Sequence, residues 1–226
     1  MPDQQVKLAV FDYDGTCIRG QSGSLFSIYL FKKGLVSPKN TWRLLWWAFR
    51  YLFHLPHAQE TAREAVFGGL GHLDVRQVRA LMRHFHDTKL LPRYRTAALE
   101  EVQRCKREGY LTILVSATFL GIATPAAEHL GVDAYIATEM EKDEEGRFTG
   151  RVLGNVTAGE NKVSSVAEWA DAHIGEGKWR IGRAYGDHHT DRYLLQAADE
   201  PIAVCPGRTL NSLAKRNGWR IVDWDD

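Results

Sequence analysis

Two aspartates near the beginning of the sequence, Asp12 and Asp14, stand one residue apart in the stretch VFDYDGT, residues 10–16. Carboxylates at this spacing repel each other, and each raises the pKa of the other. A divalent cation removes that penalty because its charge stabilises the ionised form of both. Mg²⁺ prefers oxygen ligands and keeps several waters, so two or three protein oxygens and a phosphate suit it. The pair therefore favours a magnesium site over a solvated Asp-Gly turn.

Further polar side chains occur where apolar runs end or helices begin. Ser116 ends the run ILVS, Lys162 opens a helix in GENKVSS, and Asp187 and Asp191 follow a strand in YGDHHTDRYLL. Ligands of an open parallel sheet bind outside the carboxyl ends of its strands. These groups are therefore expected near the aspartate pair, where carboxylates, a hydroxyl and an ammonium would suit a phosphate and its metal ion.

The elements that would position these groups alternate along most of the chain. Short apolar runs predict strands at residues 6–12, 110–116, 133–138, 179–187, 201–205 and 219–224, with a hairpin at 144–154. Helical spacing predicts helices at residues 96–109, 120–131, 161–174, 190–198 and 208–218. Apolar strands alternating with helices predict an α/β fold, with a Rossmann-like parallel sheet core and helices on both faces.

Residues 20–90 differ from the rest because their pattern is almost entirely helical. Helices are predicted at residues 22–33, with Ser22 as N-cap, and at 41–53 and 74–86. This block lies between the first strand and the remaining strands. It predicts an inserted all-helical cap domain, residues 20–90, on a catalytic core made of residues 1–19 and 91–226.

The helix predicted at residues 41–53 has the sequence TWRLLWWAFRYLF, with Arg43 and Arg50 within it. It is too short and too charged to span a bilayer. Its wide apolar face favours a cap helix whose aromatic side chains pack on their neighbours. An interfacial helix at a membrane surface remains the alternative, and a lipid phosphate would then be the substrate.

Composition excludes several other classes of protein. The formal net charge of +1 provides no basic excess for a nucleic-acid surface. The three cysteines are far apart and odd in number, which argues against a disulfide framework or a zinc site and favours a reducing cytoplasm. The first twelve residues lack the pattern of a signal peptide. The sequence leaves the oligomeric state open.

Four segments together resemble the motifs of the haloacid-dehalogenase-like phosphatases. They are DYDGT, VSAT, Lys162 and YGDHHTD, and the resemblance covers nearly the whole chain. Size and motif wording are most similar to the phosphoserine-phosphatase-like branch, and the helical block resembles the inserted cap of that superfamily. The resemblance implies a Mg²⁺-dependent phosphomonoester hydrolase that acts on a small phosphorylated metabolite through an aspartyl-phosphate.

The resemblance also implies a role for each acidic residue. Asp12 would be the nucleophile that attacks phosphorus. Asp14 would protonate the leaving oxygen and then activate water. Asp12, the backbone carbonyl of Asp14, and Asp187 would hold Mg²⁺, and Asp191 would support the metal site through water.

The remaining motif residues would bind phosphate or the rest of the substrate. Gly15, Ser116, Ala117 and Lys162 form the expected phosphate-binding set. Gln21 occupies the position of a glutamate that recognises the serine amine in phosphoserine enzymes. A neutral amide cannot pair with an ammonium as a carboxylate does. Gln21 therefore argues against phosphoserine as the substrate but leaves the phosphatase chemistry intact.

Other functions of the same fold remain open. A lipid-phosphate phosphatase is the main alternative within the phosphatase class. A phosphotransferase would pass the phosphoryl group to an alcohol instead of water. A phosphate-binding module without turnover is the alternative outside enzymes, although every motif residue expected of an enzyme is present.

Overall fold

The computed structural model describes residues 5–35, 70 and 73–225. Its strands within these ranges are β1 (Val6–Asp12), β2 (Leu111–Phe119), β3 (Ala134–Lys142), β4 (Phe148–Leu153), β5 (Trp179–Gly186), β6 (Glu200–Val204) and β7 (Arg220–Val222). Its helices are α1 (Ser22–Lys32), α2 (Val75–Phe85), α3 (Thr96–Arg107), α4 (Leu120–Leu130), α5 (Asn161–His173), α6 (Arg192–Gln196) and α7 (Arg208–Asn217).

The strands form one sheet in the order β4–β3–β2–β1–β5–β6–β7. All neighbours pair in parallel except β3 and β4, which are antiparallel. From β1 the chain first builds outward through β2 and β3, and it later adds β5, β6 and β7 on the other side. The direction in which strands are added therefore reverses between the neighbouring strands β1 and β5. At such a switch point, a crevice forms in which α/β proteins bind ligands.

Strand β1 shows why helices cover both faces of the sheet. Leu8 and Val10 join the apolar cluster that includes residues of α5, α6 and α7. Ala9 and Phe11 join the cluster that includes residues of α1, α2, α3 and α4. Successive side chains of a strand point to opposite faces, and all four of these are fully buried. The continuous apolar run at residues 8–11 is thus the signature of a strand covered on both sides, and the predicted α/β core is confirmed.

The described part of the predicted cap packs directly on this core. The ring of Phe85 in α2 lies 5.0 Å from that of Phe26 in α1, measured between centroids. Buried side chains of both helices belong to the same cluster as Phe11. Arg83 of α2 also forms an ion pair with Glu128 of α4. Helices α1 and α2 therefore pack over one face of the sheet. The domain boundaries at residues 19/20 and 90/91 stay a prediction.

The helix predicted at residues 41–53, and with it the membrane-surface alternative, lies outside the described residues. Among the helices of the described ranges, none has the length and apolar character needed to cross a bilayer.

Several predicted boundaries are wrong; the strand predicted at residues 219–224, for example, covers only Arg220–Val222. The strand predicted to end at Ser116 runs on to Phe119, with a register shift against β3 in between. The hairpin predicted at residues 144–154 supplies only its second strand, since β3 itself extends to Lys142. Ser22 is the first residue of α1 and Gln21 precedes it as N-cap, because Ser22 bonds to another partner described below.

Candidate active site

The candidate site lies at the carboxyl ends of the central strands. Asp12 is the last residue of β1 and is aligned with Val115 on β2. Ser116 follows that partner directly. On the other side β5 ends at Gly186, and Asp187 comes next. The parallel pairing therefore brings residues from three distant motifs to one edge of the sheet.

A buried lysine connects two of the acidic residues. The Nζ of Lys162, in the first turn of α5, lies 2.5 Å from Oδ1 of Asp12 and 2.6 Å from Oδ1 of Asp191. Each of the three residues is at most 4% exposed. Carboxylate oxygens of Asp12, Asp187 and Asp191 all lie within 4.8 Å of one another. Lys162 thus pairs with two of the three grouped carboxylates, those of Asp12 and Asp191.

The electrostatics of this cluster show an excess of negative charge. Burial raises the pKa of Asp12 well above its usual value; Lys162 opposes the rise. Burial, followed by the charge of Asp191, raises the pKa of Asp187 to about 7. Burial disfavours the charged form of Lys162, but Asp12 and Asp191 outweigh it and raise its pKa. The cluster therefore sets the single positive charge of Lys162 against three carboxyl groups.

A magnesium ion fits this donor set. Octahedral Mg²⁺ holds oxygens at about 2.1 Å, so ligands on opposite sides of the ion are about 4 Å apart. The oxygens of Asp12, Asp187 and Asp191 are grouped on that scale. Close approach of the loop also requires glycine: a Cβ at Gly15, whose φ is +83°, would lie 2.1 Å from Oδ2 of Asp187. Gly15 therefore leaves the room that the Asp187 carboxylate occupies.

Thr16 connects the carboxylates of Asp12 and Asp187. Its hydroxyl lies 3.1 Å from Oδ2 of Asp12 and 3.3 Å from Oδ1 of Asp187, and the residue is fully buried. Sequence reasoning did not assign Thr16 a role, although it belongs to the DYDGT motif. Its position four residues after Asp12, directly after a glycine, was the available signal.

The carboxylate of Asp14 is directed to helix α1. Its Oδ1 accepts a hydrogen bond from the Ser22 amide at 2.6 Å, and its Oδ2 accepts one from the Ser22 hydroxyl at 2.9 Å. The hydroxyl of Ser22 also lies 2.8 Å from that of Thr118, just beyond Ser116 on β2. Asp14 therefore occupies the N-terminus of α1, where amide groups and the helix dipole favour a carboxylate. Ser22 and Thr118 were not identified from the sequence as site residues.

The predicted phosphate-binding residues differ in what they can donate. Ser116 is buried, and its oxygen accepts a hydrogen bond from the Thr118 amide at 3.0 Å, which leaves its own hydrogen for another acceptor. The Gly15 amide donates to the carbonyl of Gly20 at 3.0 Å, so it would have to leave that bond to reach a phosphate. Ala117 is half-buried, and its carbonyl accepts from a threonine on β3.

Gln21, predicted to recognise the substrate, is exposed at the start of α1. It directly precedes Ser22, which bonds Asp14. Its side chain makes no helix-capping hydrogen bond. The position places it beside the Asp14 carboxylate, at the border between the core and the helical segment.

A family model described as haloacid dehalogenase-like hydrolase matches residues 9–196. The chain belongs to this family. It is 28% identical to a histidinol-phosphatase of Neisseria meningitidis, over 96% of this chain and 98% of the relative. It is 26% identical to a phosphoserine phosphatase of Mycobacterium tuberculosis, over 96% of this chain and 70% of that protein.

Among solved structures, a protein of unknown function from Bordetella pertussis aligns with a TM-score of 0.87 and 28% identity. The alignment covers 98% of this chain and all of the other. The chain is therefore an enzyme of a hydrolase family, and its relatives include proteins named as phosphatases. The matched residues 9–196 include the aspartate pair, Ser116, Lys162 and Asp187.

Proposed function

We propose that the protein is a Mg²⁺-dependent phosphomonoester hydrolase that works through an aspartyl-phosphate on Asp12. The observation that carries the proposal is that Asp12 and Asp14 lie in different surroundings. Asp12 lies in a buried cluster with Lys162, Asp187 and Asp191, while Asp14, two residues away, is held apart by α1. Two neighbouring carboxylates in such different surroundings suit one nucleophile and one group that transfers protons.

Asp12 performs the first half-reaction. One of its oxygens forms a bond to phosphorus, and the bond between phosphorus and the ester oxygen breaks. The leaving oxygen takes a proton from the carboxylic acid of Asp14. Lys162 and the Ser116 hydroxyl stabilise the charge on the phosphoryl oxygens because both are buried donors that need little reorganisation.

Asp14 performs the proton transfer of the second half-reaction. Its carboxylate, left by the first step, takes a proton from a water molecule as the water oxygen bonds to phosphorus. The bond between phosphorus and the Asp12 oxygen then breaks, which releases inorganic phosphate and restores both side chains. The amide and hydroxyl of Ser22 favour the carboxylate form of Asp14 that this step requires.

Asp12, Asp187 and the backbone carbonyl of Asp14 would hold Mg²⁺, with Asp191 beside them. The ion would neutralise the approach of the anionic nucleophile to the phosphate dianion and orient the phosphoryl group. The hydroxyl of Thr16, which contacts both carboxylates, would hold Asp12 and Asp187 at the separation that the ion requires. The small-phosphate substrate class is supported by the relatives named histidinol-phosphatase and phosphoserine phosphatase.

Hydrolysis of an aryl phosphate tests the proposal. The wild type is expected to require Mg²⁺, and Asp12→Asn is expected to be inactive while it keeps the wild-type circular dichroism spectrum. Activity that persists in Asp12→Asn removes Asp12 as nucleophile. Addition of acceptor alcohols separates hydrolysis from phosphoryl transfer, since transfer would yield a new phosphate ester.

A panel of phosphorylated metabolites then defines the substrate. Histidinol phosphate and phosphoserine are the first two compounds to compare, and sugar and lysolipid phosphates complete the panel. Because Gln21 cannot pair with an ammonium as a carboxylate does, it offers no ion pair to phosphoserine or histidinol phosphate, which both carry an ammonium. Gln21→Glu is expected to improve the turnover of phosphoserine relative to a sugar phosphate without an ammonium, and an unchanged ratio would contradict a role for Gln21.

A further inference from the structure

A buried arginine links the active-site loop to the last residues of the chain. Arg95, just before α3, is 5% exposed. Its Nη2 lies 3.2 Å from the carbonyl oxygen of Gly15, and its backbone amide donates to the carbonyl of Cys17 at 3.0 Å. Arg95 is therefore attached at two points to the loop that follows Asp12.

The opposite side of the guanidinium contacts the C-terminal segment. Nη1 of Arg95 forms an ion pair with Oδ1 of Asp225. The same carboxylate oxygen accepts from Nε of Arg19 at 2.8 Å. Asp225 thus lies between two arginines, one of which, Arg19, belongs to the segment that leads from the loop to α1. Asp225 of the C-terminal segment is thus connected to the active-site loop through Arg95 and Arg19.

The C-terminal segment is itself fixed on the sheet. Trp224 is 8% exposed, and its ring lies 5.7 Å from that of Tyr185 on β5. Tyr185 stacks in parallel on Phe11 at 4.2 Å, the residue before Asp12. The Trp224 amide also donates to the sulfur of Cys205 at 3.2 Å. Asp225 is therefore presented to Arg95 from a segment that is anchored in the core.

The residue whose carbonyl Arg95 contacts, Gly15, lies against Asp187. Its Cα faces the Asp187 carboxylate so closely that a Cβ would overlap with it. Thr16, the next residue, bridges Asp12 and Asp187. A displacement of the Gly15 carbonyl therefore changes the separation of the two acids that would hold the metal.

Asp225 is the counter-charge that keeps Arg95 in this place. Among the described atoms, Nε of Arg95 is buried without a hydrogen-bond partner. A buried charge with unsatisfied donors depends strongly on its remaining partner. Loss of the Asp225 carboxylate would draw the guanidinium toward solvent and away from the Gly15 carbonyl.

We propose that Asp225 is a positioning residue of the active site, which acts through Arg95 to fix residues 12–17 against Asp187. This inference rests on the proposed function for its catalytic consequence, but not for its structural one. A residue that touches neither substrate nor metal thereby sets the geometry of the nucleophile loop. Because effective catalysis is sensitive to misplacement of about 1 Å, the effect is expected mainly in kcat.

The test compares Asp225→Asn with a matched control. The control is Asp199→Asn, which also removes one carboxylate charge. The side chain of Asp199 is 49% exposed and pairs with Arg180, and that of Asp225 is 52% exposed. Amide hydrogen exchange of the peptide covering residues 12–20 is measured first, because it needs no turnover. Faster exchange in Asp225→Asn, but not in Asp199→Asn, is expected.

Kinetics with an aryl phosphate and saturating Mg²⁺ give the second readout. Asp225→Asn is expected to lower kcat between about 10-fold and 100-fold with a small change in KM. Asp225→Glu restores the carboxylate and is expected to recover most of kcat. Arg95→Lys keeps the charge but cannot reach Gly15 and Asp225 together, so it is expected to resemble Asp225→Asn.

Two results would overturn the inference. One is exchange of residues 12–20 in Asp225→Asn that equals the wild type. The other is a kcat that falls equally in Asp225→Asn and Asp225→Glu, which would indicate a general loss of structure. If the wild type itself hydrolyses no phosphate, the proposed function fails, while the exchange measurement still decides whether Asp225 positions the loop.

Discussion

Replacement of Asp187 by asparagine is expected to stabilise the metal-free protein and to abolish its response to Mg²⁺. The pKa of Asp187 is raised to about 7 from an ordinary 3.8, by burial and by the charge of Asp191. A folded-state pKa above the unfolded value contributes stability at low pH, and that contribution is lost as the pH rises through 7. Asparagine imitates the protonated acid and keeps the contribution at pH 8.

The size of the effect follows from the difference of about three pH units. Each pH unit corresponds to about 1.4 kcal/mol, which gives an upper limit of about 4 kcal/mol at pH 8. The hydrogen bond that Thr16 donates to the carboxylate is lost or weakened, at a cost of about 1 kcal/mol. Partial exposure of Asp187 reduces the gain further. A net gain of about 2 kcal/mol, or about 4–8 °C in Tm for a chain of this size, is expected.

Thermal unfolding at pH 8, in a chelator and then in excess Mg²⁺, measures both effects. The wild type is expected to gain stability from Mg²⁺ because the ion binds the folded state alone. Asp187→Asn is expected to start higher and to gain little. The surface variant Asp199→Asn serves as control and should show the wild-type response to Mg²⁺.

Two outcomes would refute this reasoning. A Tm of Asp187→Asn at or below the wild type in chelator at pH 8 would mean that the carboxylates do not repel as their burial implies. An equal gain from Mg²⁺ in both proteins would exclude Asp187 as a ligand. At pH 5 the stability gain should disappear, since Asp187 is then protonated in the folded wild type.

Three further predictions concern the same loop. The affinity of the wild type for Mg²⁺ is expected to fall up to about tenfold per pH unit below pH 7, because protonated Asp187 cannot bind the ion; calorimetric titration between pH 5.5 and 8 checks this, and a constant affinity would contradict it. Gly15→Ala is expected to lose Mg²⁺ binding and at least about 1 kcal/mol of unfolding free energy in urea, since its Cβ would overlap with Asp187; wild-type values for both would show that the loop can yield. Ser22→Ala removes one of the two hydrogen bonds that Ser22 donates to the Asp14 carboxylate and is expected to lower kcat by about 3- to 10-fold at unchanged Mg²⁺ affinity; a changed metal affinity would contradict the separation of the Asp14 carboxylate from the cluster of Asp12, Asp187 and Asp191.

The sequence predicts the sheet and its helices because their signals are local. Residues 8–11 form a short apolar run without alternation, as is typical of a strand covered on both faces. Gly131 directly follows helix α4 and Gly218 directly follows α7; both have a positive φ, the conformation in which a glycine commonly closes a helix. Such signals need no knowledge of distant contacts.

The candidate site is predictable in part. Parallel strands place Asp12, Ser116 and Asp187 at one edge of the sheet as soon as the strand ends are known. The ion pair of Lys162 with Asp12 joins residues 150 positions apart, and the sequence alone indicates only that Lys162 begins a helix. Its role came from the resemblance to the family, not from spacing.

Sequence reasoning missed contacts in which a residue binds a partner that its local sequence pattern does not indicate. Ser22 fits an N-cap by its type, but Asp14 binds its amide and hydroxyl, so the helix begins one residue earlier than that rule predicts. Asp225 is 130 residues from Arg95, and neither residue stands in a pattern that indicates the other. Tertiary packing alone brings them together.

Identification of the residue that becomes phosphorylated tests the mechanism most directly. An aryl phosphate is suitable because its leaving group needs little protonation, so Asp14→Asn should still phosphorylate Asp12 but release phosphate slowly. After an acid quench, peptide mass spectrometry should find one added phosphoryl group on Asp12 in Asp14→Asn, and none in Asp12→Asn. A phosphoryl group on any other residue, or full turnover by Asp12→Asn, would contradict Asp12 as the nucleophile.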